Sequence, residues 1–168
     1  MLSSRANGVS CGANCVMTII SLERTADTLP TDFPALEADA KADGHAHMTR
    51  LGAEFATHRA MFHAIFTCHL DGRLAGIGAI TNEPASAPVP MWRMRRFYVH
   101  RDYRRRKIAR AIANALLQDA AGKVATVTVH AGNAGAVRFW EAMGFTAVDG
   151  QPWSHQAHLP IPEPAAGP

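Results

Sequence analysis

Hydrophobic and polar positions change period several times along this chain, and each change marks an element. Residues 16–24 (VMTIISLER) form an apolar, β-branched run that predicts a first strand. Residues 31–58 read as one or two helices, with Gly44 as the break. Two strand-like runs, 61–70 and 73–81, flank Asp71-Gly72, and an Asp-Gly pair in that setting predicts a hairpin. Residues 82–90 carry three prolines and read as a loop, because proline cannot donate to a ladder. Residues 91–100 are the next strand. After it Ile108, Ile112 and Leu116 recur at i, i+4 and i+8, the apolar stripe of a helix starting near Arg104. Residues 123–130 alternate as a strand. They lead to Asn133, an N-cap candidate for a short helix over 134–143. Gly144 suits the left-handed position after that helix, with Phe145 as its apolar partner. Residues 146–158 predict a last hairpin turning at 149–152. The order β-α-β-β-β-α-β-α-β-β implies an α/β (α+β) fold on a mixed sheet, with 93–145 as a β-α-β-α unit.

Composition adds boundaries. The 168 residues suit one domain, and 48% hydrophobic against 18% charged residues describes a globular chain. Residues 1–16 are expected to be a flexible extension, 17–158 a single domain, and the proline-rich 159–168 a disordered tail. Cys11, Cys15 and Cys68 make no disulfide framework. Cys11 and Cys15 have no second pair to complete a metal site, so reduced thiols and no metal are expected. No apolar run approaches membrane-spanning length, and the first sixteen residues lack a secretory pattern. A cytoplasmic protein without membrane contact is expected.

Charge changes the picture more. The net charge is only +3, yet nine of the 17 Lys and Arg lie between Arg93 and Arg110 beside one acid, Asp102. Cations at a helix start oppose the helix dipole, so an anion is wanted there. A strand ending at Val99, a tight loop and a helix form an anion site, in which free N–H groups and Arg104, Arg105, Arg106 and Lys107 would hold a pyrophosphate. A solvated basic face and a grip on nucleic acid backbone are the competing readings.

The stretches FYVHRDYRRRKIARAIANALL and VTVHAGNAGAVRFWEAMGF resemble the GNAT superfamily of acetyl-CoA-dependent N-acetyltransferases. The loop signature falls on Arg104, Lys107 and Ala109. The later one falls on Asn133, Ala136, Phe139, Trp140, Glu141, Gly144 and Phe145. The resemblance is strongest over 91–145 and extends by element order over roughly 17–158. It implies a GNAT-like fold with splayed fourth and fifth strands, and acetyl-CoA as co-substrate. It also implies that Phe97, Tyr98 and Val99 pair with the pantetheine arm as an added strand would. The pyrophosphate would rest on the N–H groups of Arg105, Arg106, Lys107, Ile108 and Ala109, with Arg104 and Arg106 near it and Arg110 also among the cofactor-binding residues. Asn133 would touch the pantetheine arm, serve as a plain N-cap, or do both. Phe139 and Trp140 fall on the cofactor side, with a core role the stronger alternative for Phe139 and a wall of the site the reading for Trp140.

Three departures from the family pattern bear on chemistry. Lys107 stands where the family prefers Gly; as a first-turn helical residue it would need no positive φ. Trp140 replaces the tyrosine expected to protonate the leaving thiolate, a role open to Tyr98, Tyr103, water or the product amine. The fourth strand lacks a carboxylate, so a histidine is wanted as general base. Of His100, His130, His155 and His158, His155 is favoured, with His158 and His130 behind it. Arg93, Arg95 and Arg96 would recognise a carboxylate, phosphate or phosphonate on the acceptor, or pair internally with Glu37, Asp39 or Glu54. Strand alternation puts Arg93 and Arg95 on one face and Arg96 on the other unless a bulge intervenes. The implied function is acetyl transfer to a primary amine, the acceptor being a small acidic amino acid or analogue, with a homodimer expected by analogy. The alternatives are a catalytically degenerate acyl-CoA-binding regulatory module and an RNA- or tRNA-directed acetyltransferase.

Overall fold

Seven strands form one sheet in the order β1-β2-β3-β4-β5-β7-β6. The computed structural model describes residues 18–25 and 27–161, so the expected N-terminal extension and most of the proline-rich tail lie outside the described residues. The strands are β1 (Ile20–Arg24), β2 (Phe62–Leu70), β3 (Arg73–Asn82), β4 (Trp92–Val99), β5 (Thr126–Val129), β6 (Thr146–Ala147) and β7 (His155–His158). The helices are α1 (Phe33–Ala42), α2 (His47–His58), α3 (Ile108–Ala120) and α4 (Ala134–Ala142).

Local sequence explains most of this frame. Asp71 and Gly72 both have positive φ, 49° and 79°, as a two-residue hairpin turn of the strand-matching hand requires. Gly44 separates α1 from α2 at φ 80°. Ile108, Ile112 and Leu116 of α3 are fully buried against the sheet, and each such side chain contributes about 1.5–3 kcal/mol of hydrophobic stabilisation. Asn133 caps α4, its Oδ1 accepting from Ala136 N at 2.9 Å. Gly144 (φ 92°) ends that helix and Phe145 folds back as its buried partner.

The two faces of the sheet carry separate cores. One holds α3 with Ile80, Met94, Val127, Val129 and Trp140; the other holds α1 and α2 with Ile65, Ile77, Ala79 and Tyr98. No helix among the described residues is long and apolar enough to cross a membrane.

The start of α3 differs from the expectation. Residues 101–103 form a short 3-10 turn and α3 begins at Ile108, so Arg104, Arg105, Arg106 and Lys107 precede the helix instead of occupying its first turn. Arg105 (φ 62°) and Lys107 (φ 61°, ψ 16°) are left-handed, which breaks any helix across them.

Candidate active site

The site grows from two irregularities in β4. The first is a bulge. Ile77 pairs with Tyr98 and Ala79 with Arg95, which leaves Arg96 and Phe97 together opposite Gly78. Arg96 takes the left-handed conformation (φ 56°) to make it. Gly78 is what permits it, since a Cβ there would lie 2.5 Å from the Phe97 ring and 2.8 Å from Ile112. The second irregularity is a splay. β4 and β5 run parallel but pair only at Trp92↔Val127 and Arg93↔Thr128. Beyond that apex β4 continues to Val99 with no β5 partner, so its edge offers backbone donors and acceptors to an extended ligand. Phe97, Tyr98 and Val99 all lie on this free stretch.

The wedge leads to the loop before α3. The first-turn N–H groups of α3 lack helical partners and carry the positive end of its dipole. Lys107 is the N-cap residue and makes no side-chain cap bond. Its left-handed backbone corrects the expectation that a non-glycine residue sits there without strain: each such residue costs about 1–2 kcal/mol. Arg105, Arg106, Lys107 and Arg110 are exposed, and none has an ion-pair partner among the described residues. Arg104 behaves differently. Its Nη2 bonds the Asp43 carboxylate, its Nε donates to Val99 O at 3.3 Å, and its guanidinium lies 5.6 Å from the Tyr98 ring centre.

The strand arginines are also paired. Arg96 Nε donates to Glu54 Oε2 at 2.8 Å, its Nη2 bonds Glu54 Oε1, and Arg95 Nη2 meets that same oxygen at 3.2 Å. The bulge thus turns Arg96 to the side Arg95 already faces, and strict alternation does not hold. Hydrogen bonding from Arg96 holds the Glu54 carboxyl below its ordinary value. Burial, with Arg96 and Arg93 nearby, lowers Arg95. Arg93 Nε lies 3.0 Å from Glu83 Oε2 as an ion pair, not an aligned hydrogen bond. Glu83 has a side chain only 2% exposed and also takes the Thr128 hydroxyl and Ala85 N (3.0 Å). It therefore links β3, β4 and β5 at the apex. Glu83 escaped the sequence reading because its proline-rich segment has no period to assign a face. The partner of Arg95 and Arg96 proves to be Glu54 of the three acids considered, while Glu37 bonds Lys41 and Asp39 bonds Arg101.

The candidates for proton transfer are scattered. Tyr98 points to α1, where its hydroxyl donates to Asp39 Oδ2 at 2.8 Å and lies 3.3 Å from Asp43 Oδ2. Burial and Asp39 push its phenol well above its ordinary value, which makes it a poor acid and argues against it as proton donor. Its backbone remains on the wedge. His155 and His158 point to opposite faces, because they pair across β5 with Val129 and Thr126 respectively. His158 is exposed and bonds Thr126 Oγ (3.2 Å). His155 is 4% exposed, beside the last β5 residue, with Nδ1 2.9 Å from Ser154 Oγ. Its Nε2 has no hydrogen bond among the described residues and lies 3.6 Å from Glu141 Oε1. His130 is exposed at the end of β5, and His100 Nδ1 accepts from Asp102 N. Trp140 is buried edge-on against Phe97 (5.4 Å), Phe139 (4.8 Å) and Phe145 (5.2 Å). It supports the bulge from the α3 side, and Phe139 is half-buried in that cluster.

The site is thus a splayed parallel strand pair that opens onto a cationic loop and a helix start in an α/β fold. The model of the acetyltransferase (GNAT) family matches residues 23–145, and the chain belongs to that family. No curated protein matches the chain by sequence. Among solved structures it is similar to a provisionally assigned acetyltransferase of Exiguobacterium sp. 255-15, with 18% identity and TM-score 0.74 over 83% of this chain and 93% of that one. The ribosomal-protein-S18-alanine N-acetyltransferase of Escherichia coli shares 20% identity at TM-score 0.58, over 86% and 94%. The GNAT family N-acetyltransferase YhbS of Escherichia coli, solved with CoA, shares 15% at TM-score 0.62, over 85% and 82%. At these identities the likeness speaks for the fold alone.

Proposed function

We propose that this protein moves an acetyl group from acetyl-CoA to a primary amine on a small anionic acceptor. The observation that carries this reading is the free β4 edge running from the apex at Arg93 to a loop with four unpaired cations among the described residues. The β4 backbone would bind the pantetheine arm. The first turn of α3, with Arg105, Arg106, Lys107 and Arg110, would bind the pyrophosphate. Asn133, already bonded to Ala136 N, keeps its side-chain amide N–H groups for the same arm.

In the reaction the amine forms a C–N bond to the thioester carbon, the C–S bond breaks, and the amine proton passes to a base while the thiolate takes up a proton. Backbone N–H at the bulge would stabilise the oxyanion. We assign His155 as the base. Ser154 Oγ accepts from Ala131 N (2.8 Å) and donates to Val129 O (3.3 Å), so its remaining lone pair accepts a hydrogen bond from an Nδ1–H of His155. That tautomer leaves the Nε2 lone pair open, with Glu141 near enough to stabilise an imidazolium. The acceptor's anionic group would be read on the face of Arg93, Arg95 and Arg96, where three guanidiniums meet only the two carboxylates of Glu54 and Glu83 and so leave one positive charge over.

Thiol release from acetyl-CoA, measured over a panel of amines with and without a carboxylate or phosphate, tests the proposal. Turnover is expected with the anionic amines, and His155→Ala should lower it and change its pH profile. The burial of Trp140 and the turn of Tyr98 toward α1 favour a second reading, a non-catalytic acyl-CoA-binding module. Tight acetyl-CoA binding without thiol release from any amine would select it.

A further inference from the structure

Two carboxylates stand where a helix least favours them. Asp39 lies in the last turn of α1 and Asp43 is its C-cap residue, so both face the negative end of the dipole. They are also four residues apart, a spacing at which like charges repel. At the start of α3 the chain makes the mirror-image arrangement, with cations ahead of the positive end of the helix. The two anomalies meet. Asp39 Oδ1 accepts from Arg101 Nε (2.9 Å), and its Oδ2 accepts from Arg101 N (3.1 Å) and the Tyr98 hydroxyl (2.8 Å). Asp43 Oδ2 takes Arg104 Nη2. His100 and His45 flank the pair, each with Nε2 at 3.6 Å from one carboxylate.

The segment so gripped needs holding. Arg105 and Lys107 are both left-handed, and non-glycine residues keep that conformation only where their surroundings fix it. Arg101 and Arg104 both lie just ahead of the strained residues, and both are tied to α1.

We propose that Asp39 and Asp43 are positioning residues that latch the segment 101–107 to α1, reserving Arg101 and Arg104 as anchors and leaving Arg105, Arg106, Lys107 and Arg110 for the ligand's phosphates. The assignment of those phosphates rests on the acetyl-CoA reading; the latch itself does not. A structural clamp alone would alter stability, whereas a phosphate-loop latch alters recognition of the phosphate-bearing half of the substrate.

Two readouts on Asp39→Asn, Asp43→Asn and the double variant test this. Limited trypsin digestion of the free protein, with cuts mapped by mass spectrometry, should show cleavage after Arg105 and Arg106 accelerated about tenfold, because the loop opens without its anchors. Steady-state kinetics should show KM for acetyl-CoA raised about tenfold with kcat nearly unchanged, while KM for acetyl-pantetheine, which lacks the phosphates, stays at the parent value. Unchanged cleavage and unchanged KM in folded variants would overturn the latch. So would equal increases in KM for both thioesters, which would indicate general damage. If the double variant does not fold, Asp43→Asn, at the more exposed of the two carboxylates, carries the test. If the parent neither binds nor turns over acetyl-CoA, the functional reading fails, and the digestion still decides the latch.

Discussion

Two sets of cations lie within one stretch of eighteen residues and have opposite surroundings. Arg93, Arg95 and Arg96, on β4, meet Glu83 or Glu54 and are mostly covered. Arg105, Arg106, Lys107 and Arg110, around the start of α3, are exposed and meet no carboxylate among the described residues. A sum of charge over the segment treats the sets alike. Their partners come from α2 and from the end of β3, and these decide which cations the fold has already used. A paired, half-buried cation contributes to stability and shapes a surface. An exposed cation without a partner at a helix start raises local potential and waits for an anion.

The sharpest test of that division is to neutralise the loop. Replacing Arg105, Arg106 and Lys107 together with Ala should raise KM for acetyl-CoA about a hundredfold at low salt, because charge-assisted contacts to phosphate are lost. The effect should shrink as salt rises, and Tm should hold or increase, since the removed cations repel one another. A large fall in Tm with little change in KM would reverse the roles assigned to the two sets.

The strand set should respond the other way. Glu54→Gln leaves Arg95 and Arg96 without their carboxylate, at a side chain 24% exposed beside an Arg96 that is 10% exposed. Allowing for partial solvent screening, a loss of about 2 kcal/mol is expected in chemical denaturation at neutral pH. Glu54 has its carboxyl pKa lowered by folding, so its contribution is full above the unfolded carboxylate value and disappears as pH falls through the folded one. The gap between parent and variant should therefore close in acid. A gap that persisted under those conditions would mean the pairing is not what Glu54 contributes.

Much of the frame was legible because it is local. The Asp71-Gly72 turn, the stripe Ile108–Ile112–Leu116, the Asn133 cap and Gly144 each depend on residues within one or two turns of chain. The chemistry was less legible because it depends on cross-strand events. The bulge that turns Arg96 onto Glu54 needs a glycine on β3, and nothing within β4 announces Gly78. Glu83 acquires its role from Arg93 and Thr128, on two other strands. Two signals were present. Residues three apart on a strand face opposite ways, which separates His155 from His158. Two acids four apart at a helix end call for distant cations, as Asp39 and Asp43 show.

Lys107 tests the comparison at its finest grain, because it belongs to the loop set by charge yet strains the backbone by shape. Its φ of 61° explains why glycine would suit this position on backbone grounds alone. Lys107→Gly removes the steric cost of a left-handed Cβ but adds unfolded-state entropy, so a net gain of about 0.5 kcal/mol is expected in Tm or denaturant measurements. The same change removes one cation, and acetyl-CoA binding should weaken by about threefold at low salt, with the difference fading at high salt. The two effects have opposite signs and separate readouts. Should the glycine variant bind acetyl-CoA as tightly as the parent at every salt concentration, the ammonium contributes nothing to the phosphates. Lys107 would then be a strained N-cap residue only, and the ligand-facing set would reduce to Arg105, Arg106 and Arg110.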